Sequence, residues 1–149
     1  MDIAKLAPEA YRHMIGLERF LASSPLPAGI KELVKLRASQ INGCAYCVDM
    51  HSHDLRDAGE TDERLFSVVT WREAPFFTDA ERAALALTEE ATRLGPEGVS
   101  DEVWQQARAQ FDEPTLAALV VAIATINAWN RFGVTLRMVA GSHRKAAVG

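Results

Sequence analysis

The stretch INGCAYCVDMHSHDLRDAG, residues 41 to 59, holds both of the chain's cysteines and two of its four histidines. Cys44, Cys47, Val48, His51 and Leu55 recur at spacings of three and four, so at about 100° per residue they share one stripe of a helix. Asp49, Asp54 and Arg56 mostly face elsewhere, and His53 points to the opposite side. Gly43 stands where a preceding helix would close, and Gly59 where this one would end.

Helical periodicity continues on both sides, and no strand signal interrupts it. Upstream, LPAGIKELVKLRASQINGC begins at Pro27 and repeats Ile30, Leu33, Val34, Ala38 and Ile41. Before that, Pro8 opens an amphipathic helix through Ala10, Met14, Leu17 and Leu21, ending near Ser23 and Ser24. Downstream, a helix starts after Asp62 and breaks at Pro75; Thr78 and Glu81 form a capping-box pair opening another, which Gly95, Pro96 and Gly98 terminate. Ser100 caps a shorter helix to about Gln110, and TLAALVVAIATINAWNRFGVTLRMV is apolar nearly all round, as a central helix would be. The sequence predicts an all-α bundle of six to seven helices, with the cysteine pair at the N-terminus of a central one. It reads as one domain over residues 1–149, with a motif core over 27–94 and C-terminal helices over 100–140.

A chain of 149 residues, 48% hydrophobic and 24% charged, can bury a core without disulfide or metal staples. A net charge of −4 argues against a nucleic-acid partner, because phosphate binding needs a basic face. The only basic run, His143 to Lys145, reads as a frayed tail. No signal-peptide pattern opens the sequence, and the longest uncharged run, Thr115 to Asn130, falls short of the roughly eighteen apolar residues of a membrane span. The expectation is a cytoplasmic protein with no membrane partner. Trp71, Trp104 and Trp129 read as core or interface aromatics, and Asn127 and Asn130 as structural hydrogen-bonders that must find partners if buried.

In a reducing compartment a structural disulfide is unusual, so a chain whose only cysteines form a close pair is using them for chemistry or metal. Three readings stand. A helix N-terminus and a nearby base both favour the thiolate, and Cys-x-x-Cys spacing brings the sulfurs within disulfide reach on one turn, which suits a reversible dithiol. A metal site would have Cys44, Cys47 and His51 on one stripe but lacks a second Cys/His pair, so structural zinc is poorly served, while a catalytic zinc completed by water stays open. Two buried cysteines in a helix contact are the third reading.

Glu32 followed by Cys44, Ala45, Tyr46, Cys47 and His51 resembles the signature of the alkylhydroperoxidase D (AhpD-like) branch of the carboxymuconolactone decarboxylase family. That signature is a glutamate twelve residues ahead of Cys-x-x-Cys with a histidine four residues after the second cysteine, and all four positions match. The resemblance runs from about Pro27 through Gly59, with INAWNRF resembling the closing helix of small members. It implies a thiol peroxidase in which Cys47 attacks the hydroperoxide, Cys44 resolves the product to a disulfide, and Glu32 and His51 relay the proton. It further implies no bound cofactor, an organic hydroperoxide or hydrogen peroxide as substrate, an external dithiol as reductant, and assembly as a trimer or hexamer. The sequence departs at Tyr46, where the best-known members carry a histidine, because tyrosine cannot serve as the same base near neutral pH. The alternatives are a carboxymuconolactone-type lyase, which shares the fold but does not rely on the cysteine pair, and a non-enzymatic redox sensor.

Overall fold

In a computed structural model, which describes residues 1–147 and side chains through Arg144, the chain is helical throughout, and the only β-bridge among the described residues joins Gly95 to Gly98. Lys145, at the end of the basic run, lies outside the described side chains. The helices are α1 (Ile3–Leu6), α2 (Pro8–Ser23), α3 (Ala28–Asn42), α4 (Ala45–Asp57), α5 (Asp62–Ser67), α6 (Asp79–Arg93), α7 (Asp101–Gln110) and α8 (Glu113–Thr135). The count is one above the predicted six to seven: Asp2, accepting from the Ala4 and Lys5 amides, caps a single turn ahead of Pro8 that is too short to show periodicity. Two further differences are local. α5 gives way after Ser67 to a 3-10 turn over Val68–Thr70, and α8 ends at Thr135 rather than near Val139.

The predicted caps form. Thr78 and Glu81 make a reciprocal capping box, and Ser100 accepts from the Val103 amide. Gly43 adopts φ 68°, a left-handed conformation that side-chain-bearing residues avoid, and its amide reaches back to Gln40 and Ser39. The chain therefore turns from α3 into α4 across Gly43 and Cys44 alone, which seats the cysteine pair against the body of the bundle.

α3 is the hub, packed against α4, α6 and α8. Leu33, Val34 and Leu36 of α3, Leu85 of α6 and Leu119 of α8 are all essentially excluded from solvent, and each such aliphatic side chain contributes about 1.5–3 kcal/mol of burial. α8 is long and apolar enough, by length and composition, to cross a membrane; here it lies along α2, α3, α4, α6 and α7 as a core helix. Its two asparagines find partners within the chain. The Asn42 amide donates to Asn127 and Asn130, Asn130 donates to Ser39 Oγ, and Asn127 donates to Thr92 and to the Ile123 carbonyl. Since Ser39 also accepts the Cys44 amide through its carbonyl (3.0 Å), this network underpins the turn carrying the cysteines.

The C-terminal segment is not a frayed tail through Arg144. After α8 the chain folds back onto α4, where Asp49 accepts the Gly141 amide (2.9 Å) and pairs with Arg144 (3.1 Å). His143 meets the Tyr46 ring edge-on at 5.5 Å. Aromatic contact and a shared carboxylate hold the segment against the helix that bears the cysteines.

Candidate active site

Cys44 is the N-cap of α4 and Cys47 sits in its first turn. Their sulfurs are joined as a disulfide, and the Cys47 amide lies 3.3 Å from Cys44 Sγ, so the sulfur occupies the position of a capping acceptor. Both residues are buried, but not equivalently. Cys47 lines a cavity of about 370 Å³; Cys44 does not, and lies behind it against α8. There Gly133 leaves the room: a Cβ built on it would fall 2.6 Å from Cys44 Sγ and 3.3 Å from Cys47 Sγ. Nothing in the local sequence marks Gly133, because its role depends on how α8 crosses α4.

His51 follows Cys47 by one turn on the same face and is also buried. Its Nδ1 lies 2.9 Å from Glu32 Oε2 on α3, so spacing along α4 and packing of α3 together assemble the four residues singled out from the sequence. With Nδ1–H donating to the carboxylate, Nε2 carries the lone pair; it is buried and has no partner among the described residues. Burial pushes the Glu32 carboxyl up, but the His51 hydrogen bond, with the His51, Lys35 and Lys31 charges, outweighs burial and holds it below the ordinary 4.5. The carboxylate is thus ionised at neutral pH and able to orient the imidazole and stabilise its protonated form.

Tyr46 also lines the cavity. Burial, reinforced by Tyr11, pushes its phenol above the ordinary 10, so it offers a proton donor where a base was absent from the sequence. His53 faces away from the cavity, toward Asp49 and Arg144, as the spacing requires. The tryptophans divide. Trp71 is core, its indole donating to Glu89, whereas Trp129 is half-buried and walls the cavity; the apolar run around it gives no hint of which side α8 turns to Cys47.

Glu32, His51 and Asp54 also bring one potential metal donor each within 4.8 Å of one another. The His51 donor is already committed to Glu32, Asp54 is more than half exposed, and the Lys35 ammonium stands 4.0 Å from Glu32. The His51–Glu32 hydrogen bond, with the Lys35 ammonium beside the carboxylate, is enough to bring the first two of these donors together.

A model of the carboxymuconolactone decarboxylase family matches residues 8–90. The uncharacterized protein YdfG of Bacillus subtilis is 38% identical over 132 residues, which are 89% of this chain and 90% of that protein. A solved protein of unknown function from Agrobacterium tumefaciens, given as a candidate antioxidant-defence protein AhpD, superposes with a TM-score of 0.90 at 38% identity, covering 94% of this chain and 96% of its own. The alkyl hydroperoxide reductase AhpD of Nocardia farcinica is 49% identical over a shorter span of 35 residues, 24% of this chain and 20% of that protein.

Proposed function

The chain belongs to the carboxymuconolactone decarboxylase family, on its AhpD-like side, and from that footing we propose that it is a thiol-dependent peroxidase cycling between the Cys44–Cys47 dithiol and disulfide. The observation that carries the reading is the position of one sulfur, Cys47, in the cavity, with the buried Nε2 of His51, unpartnered among the described residues, one turn away and Glu32 fixing the ring from behind.

In the reduced protein His51 Nε2 accepts the Cys47 proton, giving the thiolate that is the reactive form. The thiolate attacks the terminal oxygen of ROOH. The O–O bond breaks, sulfur is oxidised to sulfenic acid, and the leaving alkoxide takes the proton held by His51 to depart as alcohol. The Cys44 thiol then displaces hydroxide from the sulfenic sulfur, forming the disulfide, and its proton leaves with that hydroxide as water. An external dithiol supplies two electrons and two protons to restore the pair, so the net reaction converts ROOH and a dithiol into ROH, water and a disulfide. A reducing cytoplasm and assembly as a trimer or hexamer belong to the same proposal. A groove of about 780 Å³ bordered by the exposed Leu94, Val120 and Trp104 supports the assembly, which light scattering reads.

The test is peroxide consumption with wild type, Cys47→Ser and Cys44→Ser, scoring free thiols beside rate. Cys47→Ser abolishes the burst; Cys44→Ser keeps a single burst and stalls at the sulfenic acid. A Cys47→Ser variant as fast as wild type overturns the assignment, and a thiol pair that oxidises without turnover favours a redox sensor.

A further inference from the structure

The cavity over Cys47 carries charges that the proton relay does not use. Lys35 of α3 is 5% exposed, and its ammonium donates to Glu18 Oε2 of α2 at 2.6 Å. The other Glu18 oxygen accepts from the Trp129 indole at 3.0 Å, and the Trp129 ring is met edge-on by Tyr11 at 5.5 Å and by Phe132 at 5.7 Å. One carboxylate from α2 thus cancels a cation and fixes the central ring of an aromatic wall. Among the described residues Lys35 is the single lysine or arginine lining the cavity, against the carboxylates of Glu18, Glu32 and Asp54.

An incoming anion would surrender hydration, find the Lys35 charge covered by Glu18 and any proton on His51 balanced by Glu32 and the Cys47 thiolate, and meet like charge, while an uncharged ring would meet apolar surface and aromatic edges. We propose that Glu18 is a specificity-determining residue, and that through Lys35 and Trp129 it restricts this site to uncharged, ring-bearing hydroperoxides and excludes those bearing a carboxylate. The proposal rests on the peroxidase reading for its substrate class, but charge selection is a property of the cavity and can be measured apart from turnover.

The experiment compares kcat/KM for the para-carboxylate of cumene hydroperoxide and for the methyl ester of that acid. Wild type is expected to favour the ester by roughly tenfold or more, the scale of one uncompensated like-charge contact. Glu18→Gln keeps an oxygen for the Trp129 indole but takes away the nearer of the two carboxylates at Lys35, leaving only Glu32 at 4.0 Å, so one positive charge is uncovered and the ester-to-acid ratio should collapse by a similar factor. The double variant Glu18→Gln, Lys35→Met has no uncovered cation and should keep its preference for the ester; it also removes the buried lysine whose weakened pairing would destabilise the single variant. Equal rates for acid and ester in wild type, or a double variant as tolerant of the acid as Glu18→Gln, overturn the proposal. The corresponding alcohols, titrated by tryptophan fluorescence, repeat the comparison without chemistry. Ester-selective binding in a protein that consumes no peroxide would sink the peroxidase reading and sustain charge selection; equal binding would sink charge selection alone.

Discussion

Replacing Gly133 by alanine places one methyl group against both sulfurs. The added carbon would sit 2.6 Å from Cys44 Sγ, closer than any relaxed contact, and 3.3 Å from Cys47 Sγ. Overpacking of this kind costs about 1–3 kcal/mol. The cost falls mainly on the oxidised form, in which the two sulfurs are tied together beside α8; once the bond opens, Cys44 Sγ can turn away. For a two-electron couple about 30 mV corresponds to 1.4 kcal/mol, so the reduction potential should rise by roughly 20 to 60 mV. Alanine also gains up to about 1 kcal/mol of helix propensity over glycine, but that gain is common to both redox states; it shows in thermal melts and cancels in the potential. The assay is equilibration against thiol–disulfide buffers, with thiols counted by alkylation and the fold checked by circular dichroism. A folded variant whose potential moves by less than about 10 mV, or moves downward, would refute the claim that α8 bears on the disulfide.

Glu32→Gln keeps an acceptor for His51 Nδ1 but removes the charge that stabilises the imidazolium, and should slow Cys47 oxidation by roughly a hundredfold, the low end for a positioned acid–base pair; stopped-flow rates equal to wild type would count against the relay. Glu89 concerns stability rather than turnover. Burial pushes its carboxyl up, but hydrogen bonds from Trp71, Arg37 and Arg72, with the Arg37 charge, hold it below the ordinary 4.5. A folded value below the unfolded one stabilises the protein fully above that ordinary value, and the stabilisation is lost as pH falls through the folded value. Glu89→Gln should therefore flatten the acid-side fall in melting temperature, and melts from neutral to acidic pH that keep the wild-type slope would contradict it.

The elements that could be read from the sequence are those whose cause is local. The 3.6-residue period, the Thr78–Glu81 box, the Ser100 cap and the left-handed Gly43 each act within a few residues of chain, and the helices formed where those signals stood. The α1 turn escaped because four residues cannot display a period. At the site, the alignment of Cys47 with His51 follows from spacing on α4, but the partnership of His51 with Glu32 depends on how α3 packs beside α4, and only the family signature singled that carboxylate out. Gly133, Glu18, Lys35 and Trp129 come from α2, α3 and α8, meeting around one cavity through interhelical geometry that no window of sequence encodes. Aromatic and carboxylate side chains at those positions read equally well as core or surface until their neighbours are fixed.

The first helix and the segment just after α8 reach the same mouth. Ile3 and Met138 both line the cavity with Cys47, and residues 141–144 are fastened to α4 through Asp49. A bulky group carried at Ile3 or Met138 would therefore stand at the mouth of the cavity that holds the Cys47 sulfur. An affinity tag fused ahead of Ile3 is a local obstacle there and, if rich in histidine, a local source of bases and bound metal, so peroxide-consumption rates are best compared on protein without one.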